Sequence, residues 1–315
     1  WSSDVCSSDL MKKLLVAFLL VSITSLFAND VQVFSQKNID GKITPKTIEA
    51  EFKKLGFYIS DNRDMNKPFT IQFKQTDFKV YNLFTLYHID SVYNLAKKYP
   101  KIGLFTPMSM SIYTKKGDDT IHVSSLTVET MSRISGIPAS NPDLQKIGML
   151  VKKALKIALP NGKFETFDYK SSKTAKELIT KMHVEVDPED WEDETEGMIE
   201  MIEGGLEEKG FVQAGFTDIN YDFKKMGDDY FDMFVSESIC KLPVIYAVAK
   251  TRPEAGAFAP CSISIYKRKG ENIMYVEYPN VYNWIASLTI DDKNAIKELI
   301  EAQAKMEVIL YNAKE

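Results

Sequence analysis

The stretches that decide the fold are PKIGLFTPMSMSIYTKKG at residues 100–117 and PEAGAFAPCSISIYKRKG at residues 253–270, which are identical at ten of 18 positions. The offset between them is constant at 153 residues, and weaker matches continue upstream at nearly the same offset. Self-similarity at a fixed period indicates a repeated structural unit. The sequence therefore predicts a tandem duplication, with a first domain at 29–160, a linker at 161–181 and a second domain at 182–315.

Each half of the sequence predicts a similar succession of strands and helices. In the first half, apolar periodicity and capping residues predict strands near residues 31–34, 69–75, 78–87, 104–114 and 120–126, and helices near 45–55, 90–99 and 144–158. Such an alternation of strands with a few helices predicts a domain in which one layer of helices packs on one face of a sheet. We therefore predict an α+β fold of two similar tandem domains, each a small mixed sheet with helices packed on one face, paired pseudo-symmetrically.

Two glycines and two prolines recur at equivalent positions where the chain enters a predicted strand. They form a candidate motif at the start of that strand: Gly103, Pro107, Gly256 and Pro260. Faces that pair across a twofold axis bury the same patch on each side. A linker of about 20 residues makes such pairing possible within one chain. The expected state is a monomer that contains a pseudo-dimeric pair of domains.

The second stretch, with the residues just before it, resembles the domain of unknown function 302 family. The features that carry the resemblance are a basic hairpin and the residues Ile239, Cys240, Pro243, Pro253, Gly256, Pro260 and Cys261. The first half departs from this pattern, with Met108 in place of Cys261 and a segment near Asp90 in place of Cys240 to Pro243. The resemblance implies a small α+β domain that tends to pair with another copy. It implies no established activity, cofactor or catalytic residue.

The N-terminus predicts export. Residues 1–10 precede a methionine and look like translated adaptor sequence, so we treat Met11 as the start. Two lysines, an apolar run over residues 14–27 and the small residue Ala28 then form the pattern of a secretory signal peptide at 11–28. The apolar run is short for a membrane span. The expected location is periplasmic or secreted, with no stable membrane anchor after cleavage.

Cys240 and Cys261 form a candidate thiol site. On a strand, Cys261 shares the apolar face with Ile263 and alternates with Ser262, and Met108 occupies its place in the first half, so a core role is expected. Cys240 lies where a strand leads into a helix, and a helix N-terminus lowers the pKa of a thiol. A predicted helix of about 18 Å separates the two cysteines. A disulfide is not expected, because it needs Cα atoms within about 7 Å.

Other chemistries lack their sequence signatures. A net charge of -5 gives no basis for nucleic-acid binding. The histidines at 88, 122 and 183 lack metal-ligand spacing, and the acidic run at 185–196 does not follow the EF-hand pattern. We interpret Asp187 and Pro188 in that run as a helix start. Hydrolase, thioredoxin-like and nucleotide-binding motifs are absent from the sequence. No metal, cofactor or catalytic residue is therefore predicted.

Two functional hypotheses from different classes remain. The first is an exported, non-catalytic binding or interaction protein, which holds a small apolar ligand between helix and sheet or in the crease between the copies. The alternative is a periplasmic thiol redox or metal-handling protein that uses Cys240 and Cys261. The pKa of the Cys240 thiol separates them, because a lowered value favours the second hypothesis.

Overall fold

The computed structural model describes residues 29–314. The predicted adaptor-derived segment at 1–10 and the signal peptide at 11–28 lie outside the described residues. Across residues 29–314, no helix combines the length and the apolar character needed to cross a membrane.

The first half of the chain folds as an α+β domain. Its strands are β1 (Val31–Lys37), β2 (Phe57–Asp64), β3 (Phe78–His88), β4 (Met108–Lys115), β5 (Thr120–Leu126) and the short β6 (Lys163–Phe164). Its helices are α1 (Pro45–Lys54), α2 (Asn66–Phe73), α3 (Ile89–Ala96), the 3-10 helix η1 (Pro100–Phe105), α4 (Val128–Ser135) and α5 (Pro142–Ala158).

The second half repeats this order of elements. Its strands are β7 (Ile179–Glu185), β8 (Val212–Asp218), β9 (Phe231–Cys240), β10 (Cys261–Arg268) and β11 (Ile273–Pro279). Its helices are α6 (Trp191–Glu208), α7 (Ile219–Lys225), α8 (Leu242–Ala249), the 3-10 helix η2 (Pro253–Ala257), α9 (Tyr282–Ser287) and α10 (Lys293–Lys314).

The two sheets have corresponding strand orders. The first runs β2-β3-β4-β5-β1-β6 and the second β8-β9-β10-β11-β7, so the first five strands match one to one. The predicted α+β fold of two similar domains is confirmed. The predicted mixed sheet is wrong in detail, because every pairing in both sheets is antiparallel. The connections that contain helices do not place any two parallel strands side by side.

Each sheet has one apolar face and one face rich in serine. Met110 and Ile112 on β4, and Ile263 and Ile265 on β10, are fully buried on the apolar faces. The alternating residues, such as Ser111 and its counterparts, are buried too, although they are polar. A strand buried on both faces needs a second covering layer, and here the other domain provides it.

The serine faces meet in a symmetric contact between the domains. The Ser109 hydroxyl donates to the carbonyl of Pro260 at 2.8 Å, and the equivalent Ser262 hydroxyl donates to the carbonyl of Pro107 at 3.2 Å. The Ser111 hydroxyl likewise donates to the carbonyl of Pro253 at 3.0 Å. Each domain therefore places its 3-10 helix and the following proline on the sheet of the other, and the pseudo-symmetric pairing is confirmed.

The predicted linker packs against both domains. Ser35 and Phe34 of β1 pair with β6, and the rings of Phe34 and Phe164 lie 4.8 Å apart. Farther along, the Ser171 hydroxyl accepts from the Asp30 backbone N–H at 2.9 Å and donates to the Ser287 carbonyl at 2.7 Å. The segment thus joins the start of the first domain to α9 of the second.

Three predicted elements have different bounds in the structure. Residues 69–75 were expected as a strand, but helix α2 covers most of this range and the edge strand is β2. The alternation of apolar residues there was too short to separate strand from helix. The strand predicted from residue 104 begins at Met108, after η1. Helix α6 begins at Trp191 rather than Pro188, because Asp187 accepts from the Glu189 N–H in a preceding turn.

Candidate functional site

A small apolar cavity lies between the helices and the sheet of the second domain. Its volume is about 50 Å³. Ile239 and Cys261 contribute from the sheet, Val244 and Ile245 from α8, and Trp284 from α9. Leu299, Ala302, Gln303 and Met306 close it from α10, together with Phe211 before β8. The lining is almost entirely apolar, which suits a small ligand with little polar surface.

Small side chains on the sheet side leave this space open. In the sheet registers Cys261 pairs with Ile239, just as Met108 pairs with Leu86 in the first domain. Two residues earlier, Ala259 of the second domain stands where Thr106 stands in the first. The shorter Cys261 side chain therefore fills less of the space between sheet and helices than methionine does.

Gln303 fixes the far wall of the cavity. Its side chain is only 2% exposed, and its amide donates to the Tyr278 hydroxyl at 3.2 Å and to the Asn280 side-chain oxygen at 3.0 Å. Its own oxygen accepts from the Val281 backbone N–H at 3.2 Å. A buried amide with its hydrogen bonds satisfied specifies one packing of α10 on β11.

Trp284 lines the cavity and carries an unmatched polar group. Its ring stacks on Phe258 with centroids 5.8 Å apart, and the side chain is 3% exposed. Its buried indole N–H has no acceptor among residues 29–314. Buried donors are usually paired, so this group could take an acceptor atom carried by a ligand.

Both cysteines line the cavity, although their backbone positions have opposite strand phases. Cys261 lies on the apolar face, where its thiol is 3.6 Å from the carbonyl of Phe258. Cys240 has the strand phase of Ser236, whose hydroxyl reaches the Gly103 carbonyl of the first domain at 3.2 Å. Within the described residues both are free thiols. Both thiols lie at this cavity, and they are close enough for Cys240 to contribute to the raised pKa of Cys261.

Burial makes both thiols weak acids. Desolvation raises the pKa of Cys240 to about 11, although the neighbouring Arg63 guanidinium partly lowers it. Desolvation also raises the pKa of Cys261 to about 12. The thiolate is the reactive form, so neither side chain is poised for redox chemistry at neutral pH. The helix N-terminus after Cys240 does not outweigh the loss of water.

The candidate glycine and proline motif lies at the domain contact. A Cβ on Gly103 would overlap Ser264 and lie 2.8 Å from the Phe234 ring, and one on Gly256 would overlap Ser111. Thr106-Pro107 and Ala259-Pro260 are cis peptide bonds. The glycines of the motif therefore let the backbone of each domain lie directly against the sheet of the other domain. The same segments also lead into β4 and β10.

The histidines make separate contacts. His88 Nδ1 accepts from the Ser91 backbone N–H at 3.3 Å and caps α3. His122 Nδ1 is 2.7 Å from Glu165, while His183 is 46% exposed at its side chain and 3.7 Å from Glu277. Among residues 29–314, no three His, Cys, Asp or Glu side chains form a group that could hold a metal ion.

The fold and the cavity define a class: a two-domain α+β protein whose antiparallel sheets face each other, with an apolar cavity in the second domain. Residues 191–313 match the family model of the domain of unknown function DUF302. One solved structure that matches is described as the uncharacterized conserved protein DUF302 from Bacillus stearothermophilus, with 15% sequence identity and a TM-score of 0.36. The match covers 44% of this chain and 100% of that one. No curated protein matches the chain.

Sequence reasoning missed Trp284 and Gln303 as parts of the site. Neither belongs to a motif, and both reach the cavity only after α9 and α10 pack on the sheet. The available signal was the comparison of the two halves, because Cys261 is smaller than its counterpart Met108. A smaller side chain at an equivalent core position marks where space can open.

Proposed function

We propose that this chain is an exported, non-catalytic binding protein whose second domain takes a small apolar ligand. The observation that carries the proposal is the apolar cavity between β10 and the helices α8, α9 and α10. Its volume of about 50 Å³ limits the ligand to a molecule of only a few non-hydrogen atoms. The unpaired Trp284 N–H favours a ligand with one acceptor oxygen, such as a ketone.

The proposal includes an origin by tandem duplication and a monomeric state. The repeated stretches, the equal order of elements and the matching strand orders support the duplication. The reciprocal contacts of Ser109 with Pro260 and of Ser262 with Pro107 support one chain that contains its own domain pair. Such isologous contacts are those of a twofold dimer.

Export rests on the signal-peptide pattern at residues 11–28. N-terminal sequencing of the protein recovered from the periplasm or medium tests it, and we expect the chain to begin at Asn29. A recovered protein that still carries Met11 would contradict the exported, soluble form.

Ligand binding is testable through Trp284 fluorescence. A Trp191→Phe background leaves Trp284 as the tryptophan of the mature chain, because the third tryptophan is Trp1. We expect saturable changes in emission with a homologous series of short aliphatic ketones, and weaker changes with the matching alkanes. Native mass spectrometry of protein purified from its own source should show any retained ligand as added mass.

Matched variants test whether the signal comes from the cavity. Cys261→Met introduces the residue of the first domain and should abolish the response by filling the space. Met108→Cys, at the equivalent position of the first domain, should leave the response unchanged. An unchanged response in Cys261→Met would overturn the cavity as the binding site.

The thiol redox alternative has no comparable support. Both cysteines are partly buried free thiols, and desolvation raises both pKa values. Redox and metal-binding cysteines are usually in surroundings that lower the pKa. The binding function is therefore the one we propose.

A further inference from the structure

An acidic groove lies beside helix α6, apart from the apolar cavity. Its volume is about 590 Å³. Glu200, Glu203 and Glu207 line it from α6, and Glu237 contributes from β9. The spacing of the three helical glutamates places them along one side of the helix. Leu206, Phe211 and Val212 supply apolar surface to the same groove.

Glu237 is the unusual member of this group. The residue is 0% exposed, and neither carboxylate oxygen has a hydrogen-bond partner among residues 29–314. It lies on the apolar face of the sheet, opposite Ile263. The equivalent position in the first domain is Phe84, opposite Met110. A buried carboxylate without a partner is costly, so its presence on an otherwise apolar face points to a ligand that pairs with it.

The charges around the groove indicate the class of that ligand. Among the described residues, none of the four glutamates is in an ion pair with a lysine, arginine or histidine. No three acidic, histidine or cysteine side chains there converge as a metal site would need. An alkyl ammonium has a simpler requirement, because one carboxylate can pair with its charge while its stem lies on apolar surface.

We propose that this groove binds a small aliphatic diamine, with Glu237 pairing with one ammonium group and the glutamates of α6 pairing with the other. Leu206, Phe211 and Val212 would contact the alkyl chain. The groove is separate from the apolar cavity of the second domain, although Phe211 borders both.

The electrostatics of Glu237 determine the pH at which this assignment is best tested. Burial and the nearby Glu203 carboxylate raise the pKa of Glu237 to about 7. The Gln213 amide lies close enough to counteract this in part, although the hydrogen bond that it donates goes to Glu203 at 3.0 Å. A bound cation would favour the ionised form, so binding is best measured near pH 8.

Calorimetry on the full mature chain with 1,4-diaminobutane tests the proposal. We expect saturable binding, weakened about tenfold or more in Glu237→Gln, since a buried charge that loses its partner has effects of at least this size. Glu203→Gln should weaken binding by a smaller factor and serves as a second variant if Glu237→Gln folds poorly. Glu208→Gln is the control, because Glu208 is exposed and pairs with Lys209.

Other probes distinguish an amine site from other sites. 1-Butanol should not bind in the groove, since it carries no charge, and Ca²⁺ should not displace the diamine. The proposal is overturned if the diamine shows no saturable binding, if Glu237→Gln and Glu203→Gln both bind like the parent, or if Ca²⁺ binds and competes.

Discussion

At the residue scale, Cys261 is predicted to be a structural core residue. Its thiol lies on the apolar face of β10, and burial raises its pKa to about 12. Cys261→Met should change the free energy of unfolding by less than about 1.5 kcal/mol, as core swaps of similar character usually do. Cys261→Asp should be severely destabilising, because it buries a carboxylate without a partner.

Urea unfolding measures these changes, and alkylation measures access to the thiol. A bulky maleimide should label Cys261 slowly in the folded protein. Rapid labelling in the native state, with Cys240→Ser as the background to isolate Cys261, would show that the position is not core.

Glu237 predicts a specific dependence of stability on pH. Burial raises its pKa from 4.5 to about 7 in the folded state. The folded chain therefore holds this proton more tightly, so the stabilising contribution is present below about pH 4.5 and is lost as the pH rises through about 7. A shift of this size corresponds to about 3 kcal/mol, at about 1.4 kcal/mol per pKa unit.

Glu237→Gln should remove this dependence. Denaturant unfolding at pH 5 and pH 8 should show the variant gaining stability over the parent mainly at pH 8. Glu208→Gln provides the comparison, because its carboxylate is exposed. An equal difference between Glu237→Gln and the parent at both pH values would mean that Glu237 titrates normally in the folded chain.

At the scale of elements, the glycines of the 3-10 helices control how closely the domains meet. Gly256→Ala places a methyl group against Ser111 and 3.2 Å from Leu83. The expected loss is about 1–3 kcal/mol in the free energy of unfolding, the usual range for overpacking. Calorimetric or urea unfolding checks this value.

Two further variants separate overpacking from loss of glycine itself. Gly197→Ala, on α6 with open space around its Cβ position, should be neutral or stabilising by up to about 1 kcal/mol. Combining Gly256→Ala with Ser111→Gly should recover part of the loss, because the two positions are in contact. Additive effects in that pair would argue against direct contact across the domains.

At the scale of the whole molecule, each half is expected to need the other. The serine faces of β4 and β10 are buried only because η2 and η1 of the opposite domain cover them. Residues 29–165 and 178–315 expressed alone should therefore dimerise or aggregate, while residues 29–315 should be monomeric. Light scattering distinguishes these states. Stable monomers of both halves would show that the domains fold as independent units.

The sequence by itself determined the repeat, the α+β class and the apolar phase of Cys261. These features follow from local patterns, since a fixed offset marks a repeated unit and alternation places Cys261 with Ile263. The hairpin of β4 and β5 was also predictable, because its glycine and aspartate turn lies between two alternating strands.

Only the tertiary structure decided the helix over residues 66–73, the antiparallel sheets and the role of the glycine and proline motif at the domain contact. It also decided that Cys240 is a weak acid and that Glu237 is buried beside an acidic groove. The physical reason is that pKa values and close backbone approaches depend on which distant segments exclude water from a residue. Local sequence carries the periodicity of an element, whereas the packing of α6, α10 and the opposite sheet sets its environment.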